Sequence, residues 1–110
     1  MWIFLSDSFV SIVADRHDPA RLLVRGRRPG DIEEFLAPVA GIGEFAVSET
    51  PRADYRFRAF VSRDAVARAV AAHAAAIDYD NFKNSVHDDR RHSAYMGVWS
   101  VMHADQEASK

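Results

Sequence analysis

Residues 55–77, YRFRAFVSRDAVARAVAAHAAAI, hold the clearest strand of the chain and, directly after it, the clearest helix. The first five residues alternate apolar side chains with arginines, which is the period of a strand with one buried face. Ser62 is a favoured N-cap residue, and Asp64 follows in the first helical turn. A strand joined directly to such a helix favours a sheet with helices packed on it. The predicted apolar positions are Tyr55, Phe57, Ala59 and Val61 in the strand, and Val66, Ala69, Val70, His73 and Ile77 in the helix.

The segments on either side supply further strands and helices. Residues 2–5 and 9–14 are rich in β-branched and aromatic side chains, which predicts a strand pair around residues 6–8 or one kinked strand. Strands are also predicted at 21–27 and 44–48. A short helix is predicted from residue 31, with Ile32, Phe35 and Leu36 on its apolar face. Further helices are predicted from near Asp80 and over residues 92–103, the latter with an apolar side formed by Tyr95, Val98, Trp99 and Met102.

This order of elements predicts an α+β fold. We expect an antiparallel sheet of four to five strands with two to four helices packed on one face. Residues 1–104 are predicted to form a single domain, which the length of 110 residues favours. Residues 105–110 are predicted to be a frayed tail.

Composition argues against some classes of partner and of chemical site. The formal net charge is −2, so no strong overall field attracts nucleic acid or membrane. There is no cysteine, which excludes disulfides and thiolate metal sites. The first residues, MWIFL, are followed at once by SDS and lack the features of a signal peptide, and no stretch is apolar enough to span a membrane. We therefore expect a cytoplasmic protein without a membrane partner.

Residues 77–84, IDYDNFKN, are the segment least like its surroundings. Acids and amides of this kind cap helices and form turns, and Tyr79 and Phe82 would anchor such a corner to the core. The same residues could instead form a surface that contacts a ligand or partner. With His73 from the preceding helix, the candidate residues are Asp78, Tyr79, Asn81, Lys83 and Asn84.

Several segments together carry a resemblance. The start MWIF, the strand LLVR at 22–25, the run DYRFR at 54–58, the IDYDNFKN segment and the ending YMGVW at 95–99 resemble a group of small bacterial proteins of about this length. The resemblance covers most of the chain. It implies a self-contained bacterial domain, and it implies no activity or catalytic residues, because none is associated with that uncharacterised group.

The run HDDRRH at 87–92 holds two histidines and two aspartates, which raises the question of a metal site. The spacing argues against one, because His87 and His92 are five residues apart, whereas ligands on one helix face lie three or four apart. Asp88 and His92 would need a third ligand from elsewhere, such as His73 or His103. We therefore predict no metal and no cofactor.

The arginines form the third candidate site. Arg25 and Arg27 alternate on one strand, and Arg56 and Arg58 alternate on another, so pairing of these strands would bring four guanidinium groups onto the sheet face away from the helices. Phe60 would share that face. Such a surface could bind single-stranded nucleic acid, form a subunit contact, or be solvent-exposed with its arginines paired to glutamates such as Glu44 and Glu49.

Three functions follow from these patterns. The leading prediction is a non-enzymatic protein-interaction or regulatory module, because the chain has no catalytic motif but has an arginine-lined sheet and the polar corner at residues 77–84. It includes a homodimer formed through the sheet or through Trp99. Nucleic-acid binding through the arginines is the second, although the near-neutral charge does not favour it. A small enzyme or ligand binder around His73 and residues 77–84 is the third.

Overall fold

The computed structural model describes residues 1–41 and 43–110 and has an α+β fold. Its elements are β1 (Trp2–Phe4), β2 (Phe9–Ala14), β3 (Arg21–Gly26), α1 (Asp31–Leu36), β4 (Ser48–Glu49), β5 (Phe57–Ser62), α2 (Arg63–Ala75) and α3 (Asp89–Ala108). Short 3-10 turns lie at Ala37–Val39 and Lys83–Ser85. The predicted fold class is confirmed.

The five strands form one antiparallel sheet in the order β1-β2-β3-β5-β4. Strands β1, β2 and β3 follow one another along the chain and pair as a meander. The connection from β3 to β5 carries α1, and the two-residue strand β4 adds to the far edge of β5. Strands β2, β3 and β5 are each six residues long and carry most of the pairing.

Helices α1 and α2 pack against one face of this sheet. The side chains of Ile32, Phe35 and Leu36 on α1 are fully buried, as their spacing predicts. The alternation of each strand points every second side chain at the helices. Burial of a large apolar side chain contributes roughly 1.5–3 kcal/mol, so this layer supplies most of the stabilisation. The sheet and α2 contribute Val10, Ile12, Val24, Ala59, Val61, Ala65, Val66 and Ala69 to the same core.

Two glycines fit α1 to the sheet, one through close packing and the other through its backbone conformation. A Cβ atom on Gly26 would lie 3.3 Å from a side-chain carbon of Ile32, which is closer than most packed carbon atoms. Gly30 precedes α1 with a φ of 89°, a conformation that side chains other than glycine rarely adopt. The buried carboxylate of Asp31 then accepts a hydrogen bond from the backbone N–H of Phe9, at 3.1 Å, and ties the first turn of α1 to β2.

The chain divides into two compact units, Met1–Asp78 and Tyr79–Lys110. The first contains the sheet, α1 and α2. The second contains the 3-10 turn and α3, in which the side chain of Asp88 caps the helix by accepting a hydrogen bond from the N–H of Arg91. None of the helices in the described part of the chain is long and apolar enough to cross a membrane.

Three predicted elements differ in the structure. No α-helix begins near Asp80, where a single 3-10 turn is present, because the residues there bond locally within the turn. The helix predicted at 92–103 starts earlier, at its Asp88 cap, and continues to Ala108, through much of the predicted tail. Of the strand predicted at 44–48, only Ser48 belongs to β4. In α3, Tyr95 is buried, but Val98, Trp99 and Met102 of its predicted apolar side are exposed.

Candidate functional site

The face of the sheet that points away from α1 and α2 collects arginine, aromatic and small polar side chains, and we call it the arginine face. Its central row is set by strand register: Trp2 pairs with Ser11, Ser11 with Arg25, Arg25 with Arg58, and Arg58 with Ser48. These residues alternate with buried core positions on their strands, so the row crosses all five strands on one side. The adjoining members of the arginine face are Phe4, Phe9, Val13, Leu23 and Phe60.

The side chain of Arg25 is held in place by two neighbours. One terminal nitrogen donates a hydrogen bond to Oγ of Ser11, at 2.9 Å, and Ser11 is almost completely buried. The guanidinium carbon lies 4.4 Å from the ring centre of Tyr55, which is also buried. A guanidinium group over an aromatic ring is stabilised by the electrons of the ring face. Arg25 is therefore a positioned cation in the middle of the sheet.

Arg58 stands directly opposite Arg25 on the neighbouring strand, and both side chains are half-buried. The Nε atom of each is buried and has no hydrogen-bond partner. Among residues 1–41 and 43–110, no carboxylate forms an ion pair with either guanidinium group. Like charges placed opposite each other in a sheet destabilise it, and buried donors without acceptors do so as well.

The arginines around this pair are neutralised by carboxylates of the same unit. Arg27 contacts Asp54 at 3.3 Å, and Arg56 contacts Glu49 at 2.7 Å. An exposed face whose arginines pair with glutamates is one of the alternatives expected from the sequence, and the Arg56–Glu49 pair agrees with it. Of the four arginines predicted to form one basic face, Arg25 and Arg58 keep an uncompensated charge.

Tyr55 occupies a different position from the one predicted. The alternation of residues 55–61 places it on the helix side with Phe57, but β5 begins only at Phe57. Tyr55 instead lies against the guanidinium groups of Arg25 and Arg27, the latter 4.1 Å from its ring centre. The irregular backbone before β5 breaks the alternation, which the sequence does not indicate. The prediction for Phe57, Ala59 and Val61 is confirmed.

The turn between β2 and β3 is fixed by Asp15, whose side chain is almost inaccessible to solvent. Its carboxylate accepts a hydrogen bond from the N–H of His17, at 2.9 Å, and forms an ion pair with Arg21, at 2.8 Å. The hydrogen bond from His17 and then the contact with Arg21 lower the pKa of Asp15 below its ordinary value of 3.8, against an opposing effect of burial. Arg21 in turn lies 4.9 Å from the ring centre of Phe60 on the arginine face.

His73 and Asp78 belong to the first unit. The ring of His73 stacks on Phe35, and its Nε2 lies 2.7 Å from the backbone carbonyl oxygen of Phe35. Because a carbonyl only accepts hydrogen bonds, Nε2 carries the proton and donates it. His73 therefore joins the last turn of α2 to α1. Asp78 is exposed beyond the end of α2.

Tyr79, Asn81, Lys83 and Asn84 belong to the second unit. The side-chain oxygen of Asn81 accepts a hydrogen bond from the N–H of Asn84, at 3.3 Å, across the 3-10 turn. Phe82 packs between two rings, with centroid distances of 5.7 Å to Tyr79 and 5.7 Å to Tyr95 of α3. These contacts are those of a corner anchored by aromatic residues. The side chains of Lys83 and Asn84 are exposed.

The histidines and acids at 87–92 are part of the start of α3. Asp88 serves as the N-cap, and His92 is half-buried within the helix. Within the ranges that the structure describes, no three or more His, Cys, Asp or Glu side chains are grouped so that they could hold a metal ion.

Sequence reasoning misses two residues that shape the arginine face, Ser11 and Tyr55. Ser11 is the only polar residue in the FVSIVA strand of β2, and this interruption is a usable signal for a polar contact on the sheet. Tyr55 has no such signal, because its position depends on the loop before β5.

No protein-family model, curated protein sequence or solved structure gives a significant match to this chain.

Proposed function

We propose that this protein is a non-enzymatic interaction module that binds an acidic segment of another protein on its arginine face. One observation carries the proposal: Arg25 and Arg58 lie side by side in the centre of the sheet, and neither has a carboxylate partner in the part of the chain that the structure describes. Trp2 and Phe60 lie on the same face and are 65% and 44% exposed. Arginine and aromatic side chains are enriched at the centres of protein interfaces.

Charge complementarity selects the partner. A second copy of the same face would bring four uncompensated guanidinium groups together, which opposes self-association through the sheet. An acidic segment would neutralise them, and its apolar side chains could cover Val13, Leu23 and Phe60. The predicted cytoplasmic location is part of this proposal, because the partner must be present in the same compartment.

A protein partner fits this face better than a nucleic acid. Non-specific nucleic-acid binding gains its affinity from several phosphate contacts along the strand. Arg21, Arg27 and Arg56 each have a carboxylate partner already, so a track of free cations does not extend along the sheet. The rings of Tyr55 and Phe60 carry guanidinium groups over them, which competes with base stacking.

Fluorescence anisotropy tests the proposal. The probes are a labelled synthetic peptide in which glutamates alternate with leucines, a peptide with lysines in place of the glutamates, and an oligothymidylate of the same length. We expect saturable binding of the acidic peptide alone, and weaker binding by Phe60→Ser, which removes an exposed ring of the face. Tighter binding of the oligothymidylate than of the acidic peptide would refute the proposal in favour of a nucleic-acid function.

A homodimer is a second candidate, and the surface that favours it lies on α3. Val98, Trp99 and Met102 are apolar and exposed, Trp99 by 55% and Met102 by 62%. All residues from 97 to 110 are exposed. Sedimentation analysis of the wild type and of Trp99→Ser tests it: a dimer that the substitution dissociates supports the candidate, and a wild-type monomer at high concentration rejects it.

A further inference from the structure

We infer that Arg25 and Arg58 together form a binding site for a single carboxylate group, which on the proposed function is a glutamate or aspartate side chain of the acidic partner. The source of the carboxylate, an acidic partner protein, rests on the proposed function. The site itself rests on the structure and lies at the centre of the row from Trp2 to Ser48.

Strand register brings the two cations together. Residues directly opposite each other on antiparallel strands have Cβ atoms about 5 Å apart, and their side chains share one face. One carboxylate has two oxygen atoms and can accept hydrogen bonds from two donors at once. Each oxygen of one carboxylate can therefore accept a charge-assisted hydrogen bond from a terminal nitrogen of a different arginine.

Binding of a carboxylate is energetically favoured because the two arginine charges are partly buried. Among the described residues, neither buried Nε atom has an acceptor and neither half-buried side chain has a carboxylate partner. Burying charge costs free energy unless an opposite charge compensates it. A bound carboxylate supplies an opposite charge and offsets part of the repulsion between the two arginines, so part of the unfavourable energy of the free protein is recovered on binding.

The side chain of Arg25 is already held in position before a carboxylate binds. Ser11 holds one terminal nitrogen of Arg25, and Tyr55 covers one face of its guanidinium group. The rotamer entropy of a long side chain is thus already lost before binding, which favours affinity. Within residues 1–41 and 43–110, no hydrogen bond or aromatic ring restrains the guanidinium group of Arg58 in this way, so it is the arginine that can adjust to the incoming group.

The surroundings favour a carboxylate carried by an apolar segment over a phosphate. Val13, Leu23 and Phe60 form the next row of the face, and Trp2 ends the central row. The nearest other arginines are compensated by Asp54 and Glu49, so the site offers two positive charges and not a larger cluster. The apolar flanks therefore favour a carboxylate on an apolar segment over a free phosphate ion.

NMR titration reports on the site through the Nε–Hε signals of the arginines, which respond to a change in the environment of each guanidinium group. The probes are sodium acetate and inorganic phosphate, added at constant ionic strength against sodium chloride, and the acidic glutamate–leucine peptide. We expect the signals of Arg25 and Arg58 to shift saturably with acetate and with the peptide, whereas that of Arg68, whose Nε is already bonded to Asp64, stays unchanged. Phosphate that saturates these signals at a lower concentration than acetate would overturn the carboxylate assignment.

Variants separate this inference from the proposed function. We expect Arg58→Gln to weaken peptide binding about tenfold or more, the loss typical of a charge-assisted hydrogen bond. Arg58→Lys should retain part of the affinity, and Arg68→Gln on the outer side of α2 should leave it unchanged. Peptide binding that is unaffected by Arg58→Gln would refute the carboxylate site and leave the interaction function standing. Acetate shifts at Arg25 and Arg58 without any peptide binding would support the site and refute the function.

Discussion

Arg56 and Arg58 are two residues apart, yet their guanidinium groups have opposite environments. Arg56 lies outside the regular part of β5 and is compensated by Glu49, at 2.7 Å. Arg58 faces Arg25 across the strand pair and has a buried Nε without an acceptor. Conflicts of this kind in a well-packed sheet are expected where function, and not stability, determines the side chain.

The first prediction follows from this contrast. Arg58→Met keeps most of the side-chain length, removes the repulsion with Arg25 and removes an unsatisfied donor. We expect it to raise the free energy of unfolding by roughly 0.2–1 kcal/mol, the range for cross-strand pairs. Chemical denaturation measures the change.

The matched control is Arg56→Met, which deletes a charge that has a partner. Its unfolding free energy should stay equal to that of the wild type or fall, since an exposed ion pair contributes about 0–1 kcal/mol. If Arg58→Met destabilises the protein as much as Arg56→Met or more, the two opposed arginines are not a source of strain.

The second prediction concerns Asp15 and pH. Its folded pKa is lowered below 3.8, chiefly by the hydrogen bond from His17 and also by Arg21. A lowered pKa stabilises the folded state above the unfolded value, and this contribution is lost as pH falls through the folded pKa. Asp15→Asn should therefore be less stable than the wild type at neutral pH, and the difference should shrink as the pH falls below 3.8. Urea unfolding over this range measures it, and a difference that is independent of pH would contradict the assignment.

At the scale of elements, α2 shows what local sequence decides well. Its N-cap Ser62 accepts a hydrogen bond from the N–H of Ala65, at 3.1 Å, as the residue types predict. Its buried positions Val66 and Ala69 follow the predicted spacing. Ile77, the last member of the predicted stripe, is exposed, because the helix ends at Ala75.

The third prediction tests this cap. Ser62→Ala removes the acceptor and should lower the free energy of unfolding by about 1 kcal/mol. Ser62→Asp restores an acceptor at the same position, and its stability should be closer to the wild type. Thermal or chemical unfolding of the wild type and the two variants measures these changes. Equal losses of stability in Ser62→Ala and Ser62→Asp would show that the Ser62 hydroxyl stabilises the protein through a contact other than the cap.

Helix α3 shows where local sequence is insufficient. Its apolar residues have helical spacing, but spacing does not reveal whether a second element covers them, and Trp99 and Met102 are exposed. Residues 77–84 are a similar case. Their amide and aromatic contacts are those of the predicted corner, but the helix predicted to begin near Asp80 is wrong, since a 3-10 turn is present there. Packing against distant parts of the chain determines both the exposure of these side chains and the local conformation, and the sequence of one segment does not reveal that packing.

At the scale of the whole molecule, the net charge of −2 conceals an uneven distribution. On the sheet, carboxylates compensate Arg21, Arg27 and Arg56, whereas Arg25 and Arg58 at its centre have no carboxylate partner among the residues that the structure describes. The alternation of strand residues was sufficient to predict that Arg25 and Arg58 share a face. The loop contacts that neutralise Arg27 and position Tyr55 required the folded chain.

The most direct test of the arginine face as a binding surface is a map of backbone amide shifts during titration with the acidic glutamate–leucine peptide. We expect saturable shifts along the central row and its neighbours, at Trp2, Ser11, Arg25, Arg58 and Phe60, and unchanged signals on the outer side of α2. Saturable shifts confined to α2, α3 or residues 77–84, with the sheet unaffected, would contradict the proposed function.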